Sequence, residues 1–209
     1  MMQSLTQYES GKIDAIYSMN GPHPPWGDYG RILIHGLARN GDGGSVQLQR
    51  TGPFVPPITF PGIGLIIVTD DLKVQMEQAE FRGITFRPVE KTHVAYVPWH
   101  EWDLNADDPG YYPEGNAPES YVLSEPHSDE LSESIGPIWQ VVVSDSAEVV
   151  RQTDPISDET TFTYVADSWN GNDLFSVSEN SYKYVSPRAK SWLEQHAGKW
   201  VSFQSVARR

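Results

Sequence analysis

The chain has no cysteine among its 209 residues. Without thiols it can form neither a disulfide framework nor a thiolate metal site. Long apolar runs are also missing: none approaches the roughly 20 residues of a membrane-spanning helix. Residues 1–21 have neither the basic start nor the continuous apolar core of a secretory signal. We therefore expect a cytoplasmic protein that does not insert into membranes.

Cationic side chains are almost absent from one long segment. Residues 105–180 hold sixteen acidic residues against Arg151 alone, whereas residues 181–209 are basic, and the whole chain has a formal net charge of −13. An acidic surface repels nucleic acid and anionic membranes, and it accelerates encounter with a basic partner. The same charge is also typical of a surface that only keeps a protein soluble.

Catalytic motifs are missing too: there is no GxSxG, HExxH, GxGxxG or phosphate-binding loop. The cluster closest to a reactive site is WHEWD at residues 99–103, with His93 seven residues upstream. If this stretch is a strand, His100 and Glu101 point to opposite faces, while Asp103 shares the face of Glu101. That spacing assembles no metal triad. We predict no catalytic residue, no cofactor and no metal, with both tryptophans of the cluster used for packing.

A hydrophobic content of 38%, with seven Trp and ten Tyr, indicates a folded protein. The length fits a single domain over residues 1–209. Within it, residues 1–50 could form an N-terminal subregion, ahead of a core over residues 51–209 that contains an internal repeat.

The repeat joins residues 68–89 to residues 185–206, which align without a gap at an offset of 117 positions. In both copies a short β-rich run ends at a hydroxyl residue, Thr69 or Ser186, suited to cap a helix. Apolar residues then recur at steps of three and four, and alternating residues follow. Each copy therefore predicts strand, helix, strand. Because such units are common, chance similarity is the alternative.

The remaining elements are read as short strands and one more helix. We predict an edge strand at 13–17, a hairpin of strands 31–37 and 45–49 around the glycine-rich turn at 40–44, and a buried central strand at 138–143. Ser128 can cap a helix over residues 129–135. Strands outnumber helices and do not alternate with them regularly, which favours an α+β fold. We expect mostly antiparallel sheets, the two strand–helix–strand units and a long acidic loop region.

The acidic loop is the stretch NADDPGYYPEGNAPES at residues 105–120. Loops of this length without regular structure are usually functional or disordered. Tyr111 and Tyr112 lie in its middle with acids on either side. Aromatic residues in such a setting suit a protein-binding surface.

Several segments together resemble one known family. These are GPFVPPITFPG (52–62), GITFRPV (83–89), WHEWD (99–103), DSWNGNDLF (167–175) and SPRAKSWLE (186–194) followed by WVSF. Their succession is similar to immunity proteins of bacterial polymorphic toxin systems, of the myxobacterial swarming-inhibition type and relatives. Some relatives carry paired CxxCG motifs that bind zinc, and this chain has no cysteine, so the resemblance is to the broader group.

The resemblance implies a non-catalytic protein that binds a cognate toxin, itself expected to be basic, inside the producing cell. Neither nucleic acid nor membrane is an expected partner, and the oligomeric state stays open. The acidic segment from residue 103 to 133 is the expected contact surface. The predicted partner-binding residues are Asp103, Asp107, Asp108, Tyr111, Tyr112, Glu114, Asp129 and Glu130.

Two other functions remain open. A small-molecule or carbohydrate-binding protein, or a hydrolase, would use Trp26, Trp99, Trp102 and Tyr112 as a stacking platform beside the acidic region. A structural or oligomerisation module would use the same aromatic residues to meet a second copy of the chain.

Overall fold

The fold is known from a computed structural model. It describes residues 15–62, 64–109, 120, 122, 124–144, 147–153, 160–165, 168–177 and 180–208. Helices accompany sheets that are mostly antiparallel, so the α+β class predicted from the sequence is confirmed.

The described strands and helices are short. The strands are β1 Ile16–Asn20, β2 Leu37–Asn40, β3 Val46–Gly52, β4 Ile58–Thr59, β5 Ile67–Thr69, β6 Ile84–Tyr96, β7 Ile138–Val143, β8 Val149–Thr153, β9 Thr160–Tyr164, β10 Leu174–Val177, β11 Asn180–Val185 and β12 Ser202–Arg208. The α-helices are α1 Asp28–His35, α2 Asp70–Gln78, α3 Asp129–Ser134 and α4 Pro187–His196. No helix in the described part of the chain is both long and apolar enough to cross a membrane.

The strands form two six-stranded sheets. Sheet 1 has the order β10-β11-β1-β12-β9-β8, and sheet 2 has the order β4-β5-β7-β6-β3-β2. In sheet 1 only β12 and β9 are parallel neighbours, and in sheet 2 only β3 and β6 are. The two sheets therefore have the same sequence of antiparallel and parallel pairings.

Each sheet receives an internal strand from a distant part of the chain. β1 lies between β11 and β12, and β7 lies between β5 and β6. The edge strand predicted at 13–17 is wrong in place and position, because the strand spans Ile16–Asn20 and is paired on both sides. The prediction of a central strand at 138–143 is confirmed, but only Ile138 and Val141 of its six residues are buried.

Helices α2 and α4 share one hydrophobic core. Leu72 and Met76 of α2, and Ala189 and Leu193 of α4, are all at most 2% exposed and belong to the same cluster. Burying Leu72, Met76 and Leu193 contributes about 1.5–3 kcal/mol each relative to leaving them exposed. The core therefore holds the two helices and the neighbouring strands together.

Both helices begin at the predicted hydroxyl residues. Thr69 Oγ1 accepts a hydrogen bond from the Leu72 amide at 3.4 Å, and Ser186 Oγ accepts one from the Ala189 amide at 3.2 Å. Each satisfies one of the free amides of a helix N-terminus, which typically contributes about 1 kcal/mol.

A carboxylate links the end of α2 to the start of α4. Asp173, 6% exposed, accepts hydrogen bonds from Ser186 Oγ at 2.9 Å and from the Arg82 amide at 3.1 Å. Arg188 binds it through two nitrogens, Nε at 3.0 Å and Nη2 at 2.6 Å. The same guanidinium donates to the carbonyl oxygen of Ala79 at 3.0 Å. This network joins chain segments more than ninety residues apart.

The predicted strand at 31–37 is wrong, because most of this stretch lies in α1. The run RILIHGL alternates only weakly, and the structure buries nearly the whole helix instead of one face. Thr51 Oγ1 donates to the Leu33 carbonyl at 2.8 Å, which holds α1 on β3. Gly36, with φ of 79°, ends the helix. β2 then pairs with β3 around the predicted turn, so the hairpin is present with a different first strand.

Candidate protein-binding surface

The first part of the predicted surface is the stretch that follows the 3-10 turn Trp99–Glu101. Asp103, Asp107 and Asp108 are exposed. Asp103 Oδ1 accepts a hydrogen bond from the Asn105 amide at 3.0 Å, which closes a local turn. Among the described residues, no ion pair involves any of these three carboxylates.

A tryptophan fixes this acidic stretch to the body of the protein. Trp26 Nε1 donates to the carbonyl oxygen of Ala106 at 2.9 Å. Trp26 also packs against Trp102, with ring centroids 6.2 Å apart. Trp26 thus contacts the acidic stretch at two points, Trp102 and Ala106, which lie on either side of Asp103.

The second part of the surface is the first turn of α3. Asp129 and Glu130 are exposed there, and Ser128 caps the helix as predicted, its Oγ accepting from the Leu131 amide at 3.2 Å. Negative charge at this end is favourable because it interacts with the helix dipole. Both acids therefore stabilise the helix that presents them.

His127 attaches this helix start to β6. Its Nδ1 accepts a hydrogen bond from the Val94 amide at 2.9 Å, and its Nε2 lies 3.1 Å from Asp129 Oδ1. The Val94 carbonyl in turn accepts from the Ser128 amide at 3.0 Å, and Ala95 forms a bridge with His127. The acceptor role of Nδ1 places the proton of a neutral ring on Nε2, facing the Asp129 carboxylate.

Both acidic parts start from the end of β6. Ala95 holds the start of α3, and the stretch that leads to Asp103 leaves the strand after Tyr96. Tyr96 is 62% exposed, the largest exposure among the described large hydrophobic residues. We use the name acidic surface for Asp103, Asp107, Asp108, Asp129 and Glu130 together with Tyr96. No hydrogen bond or ion pair between described residues joins its two acidic parts directly.

Sequence reasoning missed Tyr96 because it reads as one more residue of an alternating strand. The available signal was its place beside the acidic stretch. In the structure its partner in the neighbouring strand β3 is Gly52, which has no side chain to cover the ring. The other predicted residues, Tyr111, Tyr112 and Glu114, lie outside the described residues.

The strand geometry considered above for the WHEWD cluster does not apply, because Trp99–Glu101 forms a 3-10 turn. His100 Nε2 lies 3.8 Å from Glu101 Oε1, and its ring stacks on Phe54. His93 is placed elsewhere, with its ring 5.7 Å from that of His127. In the described ranges no group of three or more His, Asp or Glu side chains could hold a metal ion.

The aromatic residues of the alternative stacking platform are divided between core and surface. Trp99 is 1% exposed and packs edge-on against Phe54 and Trp200, so it cannot stack on a ligand. Trp26 and Trp102 are half-buried against this cluster. Trp99 is thus a core residue, and Tyr112 lies outside the described residues.

The chain matches no model of a known protein family and no curated protein. The acidic surface is nevertheless chemically distinct, because it combines an exposed tyrosine at the end of β6 with exposed carboxylates on two stretches attached near that end. Such a surface can receive lysine and arginine side chains and an apolar contact at the same time.

Proposed function

We propose that this protein is an immunity protein that binds a cognate bacterial toxin in the cytoplasm of the producing cell and neutralises it without catalysis. The main observation that supports this function is the acidic surface, whose carboxylates at residues 103, 107 and 108 have no cationic partner among the described residues. The resemblance of segments such as DSWNGNDLF and SPRAKSWLE to immunity proteins of polymorphic toxin systems supports the same function.

The physical role of the carboxylates is to steer and orient a basic toxin. Exposed charges of one sign raise association rates well above those of neutral surfaces, and salt screens the effect. Tyr96 adds an apolar and hydrogen-bonding contact of the kind that dominates binding energy. Blocking a toxin in this way needs only affinity and position, which suits a chain without a catalytic motif.

We also propose that residues 68–89 and 185–206 are copies of one ancestral unit that serve as a scaffold. The strand pairings support this. In sheet 2, Val68 and Pro88 of the first copy both pair with Trp139 of the internal strand β7. In sheet 1, the matching positions of the second copy, Val185 and Ser205, both pair with Tyr17 of the internal strand β1.

A second likeness between the copies lies in their side chains. In each one a lysine four residues before a glutamate binds that glutamate and lies over two aromatic rings. Lys73 lies 5.4 Å from the Phe86 ring and 4.8 Å from the Trp139 ring, whereas Lys190 lies 5.6 Å from Phe203 and 5.2 Å from Tyr17. The conserved geometry is structural, so binding is assigned to the acidic surface outside the copies.

The test uses the protein product of the neighbouring gene as the toxin probe. Both proteins are expressed in a sensitive bacterial host, and growth rescue is scored. Association and dissociation rates are then measured with purified proteins over a series of salt concentrations. We expect rescue of growth, and an association rate that falls as salt rises.

The decisive variant is D107K/D108K, which changes the net charge by four units. Its association rate should fall about tenfold or more at low salt and approach the wild-type rate at high salt. The matched control is D42K/E90K, with the same charge change. Glu90, in the middle of β6, pairs with Gln47 near the start of β3, and Asp42 lies in the turn that precedes β3. Equal association rates and equal salt dependence for the two variants would exclude the acidic surface as the binding site.

A further inference from the structure

A cavity of about 370 Å³ opens between sheet 1, helix α1 and the segment that joins β4 to β5. One wall follows β1, another is the C-terminal part of α1, and a third is β11. The register of β1 and β11, in which Met19 pairs with Lys183, fixes the third wall against the first. The side chains that matter below are His23, Arg31, His35, Phe60, Tyr182 and Lys183.

The cavity is basic in a protein of net charge −13. Arg31 and Lys183 approach it from α1 and β11, and His23 and His35 add two imidazole rings. None of its described lining residues carries a carboxylate. Arg31 forms no ion pair within the described part of the chain.

His35 is the buried centre of this positive region. It is 2% exposed, and its Nδ1 has no hydrogen-bond partner within the described residues. Burial, together with the charges of Arg31 and Arg50, lowers the pKa of His35 to about 4. The ring is therefore neutral near pH 7, and its environment favours an anion over a further cation.

Arg50 lies behind this wall as an unmatched charge. The residue is fully buried, and only its Nε finds an acceptor, the Thr51 carbonyl at 3.1 Å. Neither Nη1 nor Nη2 has a partner among the described residues. A buried cation is costly unless an anion compensates it. An anion in the cavity would interact favourably with Arg50 and Arg31 at once.

The space for such an anion depends on a glycine. A Cβ at Gly21 would lie 2.9 Å from His35 Nε2 and 3.0 Å from Phe60 Cδ2. Any side chain at position 21 would therefore press on the two rings that line the cavity. Phe60 and the partly exposed Tyr182 also supply aromatic surface at the wall.

We propose that this cavity binds a small molecule that carries a phosphate group. Arg31 lines the cavity, and the buried Arg50 lies outside its lining but close enough to act on His35. Neither has a described counter-ion, and together they match a phosphate monoester, which carries close to two charges at neutral pH. The planar guanidinium of Arg31 can donate two parallel hydrogen bonds to its oxygens. The cavity volume falls in the range of small-molecule sites and leaves room for an aromatic group beside Phe60. None of its residues belongs to the acidic surface, so this site is independent of toxin binding.

The test is calorimetric titration of the full chain at constant ionic strength with inorganic phosphate, adenosine monophosphate, adenosine and succinate. Adenosine monophosphate and phosphate should bind, and adenosine and succinate should bind far more weakly. Tighter binding of the nucleotide than of phosphate would identify a phosphate ester as the ligand, and equal affinities would identify free phosphate. Binding of adenosine or succinate as tight as that of phosphate would overturn the proposal, as would no binding of phosphate or the nucleotide.

The variant R31Q and its control R39Q remove the same charge from inside and outside the cavity. Arg39 is exposed on β2. R31Q should weaken phosphate binding about tenfold or more, because a hydrogen bond between charged groups is lost. R39Q should leave it unchanged, and equal affinities of R31Q and R39Q would refute the site. G21A should weaken binding as well.

A readout in the unaltered chain does not depend on any variant folding. Titration of the His35 ring by NMR should show its pKa rising when phosphate is present, because a nearby anion favours the imidazolium form. An unchanged His35 titration at saturating phosphate would place the anion elsewhere and refute the proposal.

Discussion

Replacing Asp173 by alanine should destabilise the protein by about 3–5 kcal/mol. The carboxylate is 6% exposed and accepts hydrogen bonds from the Arg82 amide, from Ser186 Oγ and from two nitrogens of Arg188. Alanine removes both acceptor oxygens and with them all four hydrogen bonds. The Arg188 side chain, 27% exposed, would then lose the carboxylate that it binds through two nitrogens.

A double-mutant cycle separates the ion pair from the other contacts of Asp173. The variants D173A, R188A and D173A/R188A are unfolded with urea, and far-UV circular dichroism follows the transition. Because the two side chains share two hydrogen bonds, their effects should be non-additive by about 1–3 kcal/mol. The double variant should therefore lose less free energy of unfolding than the two single variants lose in sum.

The exposed ion pair between Lys73 and Glu77 is the matched control. The two side chains lie 2.9 Å apart at helix spacing, and that of Glu77 is 50% exposed. E77Q should cost no more than about 0.5 kcal/mol. A D173A variant as stable as E77Q, or strictly additive effects of D173A and R188A, would refute the view that this network joins the two helices.

Two further predictions concern single side chains. Because burial holds the folded-state pKa of His35 at about 4, below the usual 6.5, the unfolded chain binds an extra proton between these values. The free energy of unfolding should therefore fall by about 3 kcal/mol as the pH drops from about 6.5 to 4. In H35Q the free energy of unfolding, measured with urea, should depend less on pH. An equal pH dependence in H35Q and the wild type would contradict this. Removing the helix caps should cost about 1 kcal/mol for T69A and about 2 kcal/mol or more for S186A, because Ser186 also donates to Asp173. Thermal or urea unfolding of T69A and S186A shows which variant is less stable. A T69A variant less stable than S186A would contradict the prediction.

Local chemistry was sufficient to predict the helix starts. A hydroxyl residue followed by a stripe of apolar residues carries its own signal, and Thr69, Ser128 and Ser186 all cap helices. The same local reasoning failed for α1. The prediction took the apolar run at 32–34 for part of a strand. Asp28 and Arg31 lie three residues apart on the exposed side of the helix, a helical spacing that the prediction did not use.

Long-range pairing was beyond the sequence. Nothing in the half-polar run IYSMN of β1 indicates that it pairs with strands more than 160 residues later. The acidic surface could be predicted in part, since exposed carboxylates in a turn-rich stretch need no tertiary information. The basic cavity could not, because Arg31, Phe60 and Lys183 come from separate segments that only the fold brings together.

The internal strands β1 and β7 also set the order in which the two sheets can form during synthesis. β1 is made before its partners β11 and β12, which lie more than 160 residues later in the chain. Sheet 2 can assemble once β7 has emerged, whereas sheet 1 must wait for β11 and β12. Contacts of such large sequence separation slow folding. β1 therefore stays unpaired until those strands have been synthesised, and in that interval neighbouring chains could bind it.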